Sequence, residues 1–192
     1  MSVLARMRNY IRARDGLAAV EFAFLLPVMI TIFFGMVEVA AAVSCRADVS
    51  NVASTAADLV AQEGTATTAD LSNVFNASNT ILYPYYDGTS QDPARNTRPS
   101  ITIASIVDNG ASDFKSGRVA WVCAQGTASV HVGQIINFGQ ALMTTGGSIV
   151  YAQINYNYAS PTSKVIAGTI NMQNSFYTKP RRVAQIPLQA CP

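Results

Sequence analysis

Residues 16–38 read GLAAVEFAFLLPVMITIFFGMVE, and this stretch decides the architecture. From Phe22 to Val37 no side chain is charged, and after Glu38 the next charge is Arg46. As an α-helix rising about 1.5 Å per residue, Phe22 to Ser44 measures roughly 35 Å, enough to cross a hydrocarbon core of about 30 Å. Ahead of it stand Arg6, Arg8, Arg12 and Arg14, with no acid before Asp15. Basic flanks stay on the cytoplasmic side, so residues 1–15 are expected inside and everything beyond Arg46 exported.

The remainder of the composition bounds the answer. The chain has 192 residues, room for one ordinary domain and a short appendage. Charged residues are 12%, about half the usual share of a soluble domain, and apolar residues 49%. Thirteen Lys and Arg against eleven Asp and Glu leave a net charge of +2, so no overall field attracts nucleic acid and none is expected as a partner.

The N-terminal stretch admits several readings. Ala40, Ala41 and Ala42 offer an A-x-A-like signal-peptidase site, although a secretory apolar region is usually about 7 to 15 residues and free of acids. Cys45, after Val43 and Ser44, offers a lipoprotein site with the same drawbacks. A plain signal anchor would use Glu21 and Glu38 only to mark the two interfaces. The remaining reading starts from Gly16-Leu17-Ala18-Ala19-Val20-Glu21: a basic leader, a glycine, then a glutamate five residues on, at the mouth of an apolar helix. This resembles a type IV prepilin processing site. The resemblance implies cleavage after Gly16 by a membrane prepilin peptidase, leaving Leu17 with a free amine. A carboxylate within a membrane helix costs about 2.5 to 3.5 kcal/mol on insertion scales and persists where a partner charge exists. The Leu17 amine, on the same or a neighbouring subunit, would be that partner for Glu21.

Val20-Glu21-Phe22, Pro27, and Gly35 ahead of Glu38 make the segment similar to the opening of TadE/TadF-like pseudopilins of the tight-adherence (Flp) pilus system. It departs from that pattern after Glu38, where a small residue and then a basic one would be expected and Arg46 comes late. The resemblance implies a minor pseudopilin or assembly component acting in pilus biogenesis and surface adhesion. Its partners would be membrane lipid, the prepilin peptidase and other pilus or secretion-system subunits. It would sit in the bacterial inner membrane as a single-pass protein, N-terminus cytoplasmic and head periplasmic, with the pilus or cell surface as a further destination. Glu21 and Glu38 lie about 25 Å apart along a helix, near opposite faces of a bilayer, and Glu38 is expected to snorkel outward. The alternative from another class is a single-pass anchored binding module that enters no polymer.

Beyond the membrane the helix should continue, because Val49, Val52, Ala53, Ala56 and Val60 recur on one face while Asp48, Asp58 and Gln62 take the other. Gly64 supplies a stop, giving three parts: a basic leader 1–16, a helix 17–63 spanning the membrane to about residue 44, and an exported α+β head 65–192. Pro27 should bend the helix. A second helix is expected after Thr68 as N-cap, with Asp70 in its first turn, carrying Leu71, Val74, Phe75 and Leu82 and stopped by Pro84. Asp87-Gly88, Asp92-Pro93 and Arg98-Pro99 mark a surface loop. Strands follow at 101–107, 118–123, 148–158 and about 170–177, which predicts an antiparallel sheet packed on the exported part of the helix.

Of three cysteines, Cys123 ends a predicted strand, Cys191 is one residue from the C-terminus, and Cys45 stands at the membrane boundary. In an oxidising compartment a Cys123–Cys191 disulfide would pin the tail to the sheet; three unpaired, buried thiols are the alternative. The segment Ser175 to Arg182 with a terminal cysteine also resembles the close of the same family. Catalytic chemistry finds no foothold. His131 is the one histidine, no nucleophile elbow, zincin or phosphate-loop motif occurs, and Gly146-Gly147 reads as a turn. No enzyme activity, catalytic residue, cofactor or metal is expected. Lys179, Arg181 and Arg182 read as solvated surface charge, and the eight tyrosines as packing residues.

Overall fold

The computed structural model describes residues 17–91, 95–160 and 168–192; the leader with Gly16 and the Asp92-Pro93 pair lie outside the described residues. Helix α1 runs unbroken from Leu17 to Ala61, through Pro27, where Thr31 donates its hydroxyl to the Pro27 carbonyl at 2.8 Å. It ends two residues before the expected Glu63. The amides of Gln62 and Glu63 reach back three residues to Leu59 and Val60, tightening the last turn ahead of Gly64.

Two halves of α1 differ in surroundings. No residue from Ala18 to Val37 is buried, a stretch of about 30 Å. Burial begins at Glu38 and continues with Cys45, Val49, Val52, Ala53, Ala56, Ala57, Val60 and Ala61 at steps of three, four and seven. This is the single apolar stripe anticipated from sequence, with small residues that let the sheet come close.

Helix α2 covers Thr68–Ile81. Its N-cap is Thr67, one residue ahead of the expected Thr68, because Asp70 then falls at N3 and completes a capping box: Thr67 Oγ1 accepts from the Asp70 amide at 3.2 Å and Asp70 Oδ2 accepts from the Thr67 amide at 3.3 Å. Leu71, Val74 and Phe75 are buried, and Leu82 closes the helix as a fully buried C-cap residue.

The sheet holds five antiparallel strands: β1 Ser100–Asp108, β2 Ser116–Gln125, β3 Ile135–Asn137, β4 Ser148–Ala159 and β5 Thr169–Thr178, in the order β3-β2-β1-β4-β5. The short β3 has too little periodicity to be read from sequence and exists only through its pairing with Ser116–Arg118. Strand β1 is central and buried on both faces from Ile101 to Ile106. Ile101, Ile103, Ile154, Tyr156 and Tyr158 face the helices, while Ala104, Ile106, Ile149 and Tyr151 form a second cluster with Val130 and Met143 from the β2–β4 connection. Helix α1 lies over β4 and β5, and α2 packs beside it.

The last fourteen residues form a strap. Arg181 donates its amide to the Ala61 carbonyl, Ser148 its hydroxyl to Ala184, and the Trp121 indole to the Ile186 carbonyl at 2.7 Å. Leu188 bridges Ala66 in parallel, and Cys191 is disulfide-bonded to Cys123 with Cα atoms 5.6 Å apart. The strap therefore crosses from β5 to β2 and carries the fully buried Ile186 into the end of the core.

Candidate functional site

Glu21 lies near the beginning of the described part of α1 and is exposed. Glu38 lies 17 residues beyond, about 25 Å along the axis and roughly 100° around it. The two acids live in different environments. Glu38 does not snorkel outward: it is 2% exposed, covered where the base of the head meets the helix. The sequence shows the helix but not what folds back over its side, so an outward rotamer looked free.

Around Glu38 the head supplies a phenolic cluster. The rings of Tyr85 and Tyr158 meet edge to face at 5.8 Å, and the Tyr156 hydroxyl donates to the Tyr85 carbonyl at 2.9 Å. Burial pushes the Tyr158 phenol above its ordinary value, Cys45, Tyr85 and Glu38 add to that, and the Ser160 hydroxyl works against it. Burial raises Tyr156 as well, with Cys45 and Tyr158 adding. Cys45 is fully buried, with a thiol pushed up to about 12 by burial and then by the neighbouring Asp48. A thiol and phenols held neutral in this way suit a buried junction, which here fixes the register of α1 against the head.

The disulfide stands apart from this neck, fastening the strap to β2. Glu21, Glu38 and the Cys123–Cys191 pair thus occupy three separate places and do not converge; Gly16 lies outside the described residues. His131 is exposed in a loop, its amide donating to Gln134 Oε1 at 3.0 Å. Arg181 is more than a solvated charge, since its guanidinium meets Asp58 at 3.1 Å beside its amide bond to Ala61, tying the strap to the end of α1. Lys179 and Arg182 are exposed. Among the described residues no three His, Cys, Asp or Glu side chains gather as a metal site. The Tyr85, Tyr158 and Cys45 junction was missed in sequence; the only local signal is the tyrosine alternation in residues 156–158.

The exposed, apolar Ala18–Val37 segment has the length and character of a membrane anchor. Neither a curated protein nor a solved structure matches the chain significantly. A family model described as TadE-like protein matches residues 16–58, beginning at Gly16 and ending at Asp58, three residues short of the end of α1. That matched segment, which carries both acids on one unbroken helix rooted in the head, is similar to TadE-like proteins and covers under a quarter of the chain.

Proposed function

We propose that the protein is a minor pseudopilin, or a subunit assisting assembly, of a tight-adherence pilus machine, held in the inner membrane by α1 with its head in the periplasm. The observation that carries this reading is the meeting of sequence match and exposure: the TadE-like match begins at Gly16, and Glu21, five residues on, is exposed on the helix that leads into the exposed apolar segment. Cleavage after Gly16 would remove Arg6, Arg8, Arg12, Arg14 and Asp15, leaving nine Lys and Arg against ten Asp and Glu. The leader's cytoplasmic anchor would go, and a new amine would appear beside an acid that is costly in lipid. Pairing that amine with Glu21 of a neighbouring subunit lowers the cost and favours a bundle of such helices. The buried neck at Glu38 supports the reading further, because a helix locked to its head can carry that head along when it is drawn from the bilayer.

Mass spectrometry of the protein isolated from its host tests the proposal. An N-terminus at Leu17 is expected; one at Met1 overturns the processing step. Glu21→Ala should abolish pilus production while the head remains folded and disulfide-bonded. Unchanged piliation would leave the anchored binding module as the better description.

A further inference from the structure

The sheet face turned away from the helices is divided in two. Its upper rows are apolar, built from Ile106, Ile149, Ala104 and Tyr151, and the 127–143 segment covers them. Its lower rows are polar apart from Ala124, opposite Thr102, and Ala159, opposite Thr169. Thr102 stands opposite Gln153, and Gln153 opposite Ser175; Ser100 stands opposite Asn155, and Asn155 opposite Gln173; Asn157 stands opposite Asn171. Every other member is a hydroxyl or a carboxamide, and none is charged.

Ordinary solvation does not account for this choice. Exposed strand positions favour Thr and β-branched or aromatic residues, and Asn is depleted there. Three asparagines on adjacent strands therefore run against local preference, a pattern found where a site rather than the fold sets the residue. The groups are also held. Asn171 Nδ2 donates to Asn155 Oδ1 at 2.6 Å and to Asn157 Oδ1 at 2.8 Å, and the Tyr151 hydroxyl donates to Gln153 Oε1. Segment 127–129 overhangs the array, its Ser129 amide donating to Thr102 Oγ1 at 3.0 Å and its Thr127 amide to Ser100 Oγ at 3.4 Å. Beneath it lies a cavity of about 290 Å³, just under the usual range for ligand sites, lined by Ala128 and the polar Ser100, Thr102, Thr127, Ser129, Gln153 and Asn155.

The chemistry selects the occupant. The array's own side chains carry no positive charge to hold phosphate, nucleic acid or an acidic polymer, and Arg46 stands only beside its edge at Asn171 and Gln173. Without aromatic, Met or Arg anchors it lacks the core of a protein interface. Hydroxyls and carboxamides each donate and accept, which matches the adjacent hydroxyl groups of an uncharged sugar. Asn155 and Asn157 are exposed on this face, while Asn171 and Gln173 on the edge strand also border a groove shared with Arg46 and Ser50 of α1. We propose that this face of the head binds a neutral, hydroxyl-rich glycan, with one sugar in the cavity under residues 127–129 and the chain running over Asn155, Asn157, Asn171 and Gln173. The proposal stands independently of the pilus reading.

The test uses the full chain in lipid nanodiscs, since glycoside detergents would compete. Maltotetraose, cellotetraose and chitotetraose are titrated by calorimetry, with polygalacturonate as the anionic control. At least one neutral tetramer should bind in the millimolar range or tighter. Asn155→Ala and Gln173→Ala should each weaken it by roughly tenfold, the effect of one or two lost hydrogen bonds, while Asn73→Ala on α2 leaves it unchanged. If Asn155→Ala lowers the melting temperature, Ser175→Trp, at an exposed position, blocks the face instead and must abolish binding. Failure of all three neutral sugars at about 10 mM, preference for polygalacturonate, or affinity untouched by the face substitutions would each overturn the proposal.

Discussion

Breaking the strap's covalent anchor gives the most quantitative check on the head. Cys123 and Cys191 are separated by 68 positions, so their bond closes a long loop in the unfolded chain. The loop-entropy relation puts its stabilising effect at about 4 kcal/mol, nearly all of it through the unfolded state. The native strap has other attachments: the Trp121 indole to Ile186, the Ala66–Leu188 bridge, and Arg181 on Ala61 and Asp58. A Cys123→Ser/Cys191→Ser protein should therefore keep the native fold at low temperature, yet melt lower by roughly 10–20 °C for a head of this size. Thermal melts in nanodiscs, followed by Trp121 fluorescence, measure the shift, and hydrogen exchange at the Trp121 indole shows whether the strap stays docked. A shift below about 3 °C would refute the loop argument. Full loss of indole protection at low temperature would refute the claim that the other contacts hold the strap.

The capping box predicts that Thr67→Ala costs about 1 kcal/mol in urea unfolding, while Thr67→Ser is nearly neutral. Ala56 is fully buried between α1 and the sheet, so Ala56→Leu should destabilise by about 1–3 kcal/mol, whereas Ala40→Leu, at an exposed position on the same helix, should not. Cys45 should resist alkylation in the folded protein at pH 8 and react once unfolded. Its pKa is raised, so the unfolded thiol releases its proton first, from about 9.0, and the folded one only near 12. Stability from this group is thus complete below pH 9 and lost as pH climbs toward 12, with the buried tyrosines adding a loss of the same sign; a pH series in a Cys45→Ala background checks its share.

Much of the fold is legible because one period dominates each segment. The apolar run from Phe22 and the three- and four-residue steps from Val49 to Val60 define α1 without outside help. Four of five strands and the disulfide are read in the same way, from β-branched runs and from the placement of two cysteines. The misses share a different cause. Thr67 rather than Thr68 caps α2 because Asp70 must sit three residues on, a local geometry that two adjacent threonines leave ambiguous. Strand β3, Arg181 on Asp58, and the cover over Glu38 all depend on residues distant in sequence.

The sequence alone determined the membrane-length helix, its two acids 17 residues apart, the α+β succession and the family segment, since hydrophobic period and local spacing encode these. Only the tertiary structure decided that Glu38 is enclosed while Glu21 is exposed, that the tail returns as a strap, and that amides from β4 and β5 join hydroxyls from β1 on one open face. The physical reason is that strand register and chain return bring together groups separated by tens of residues, and no local preference carries that information.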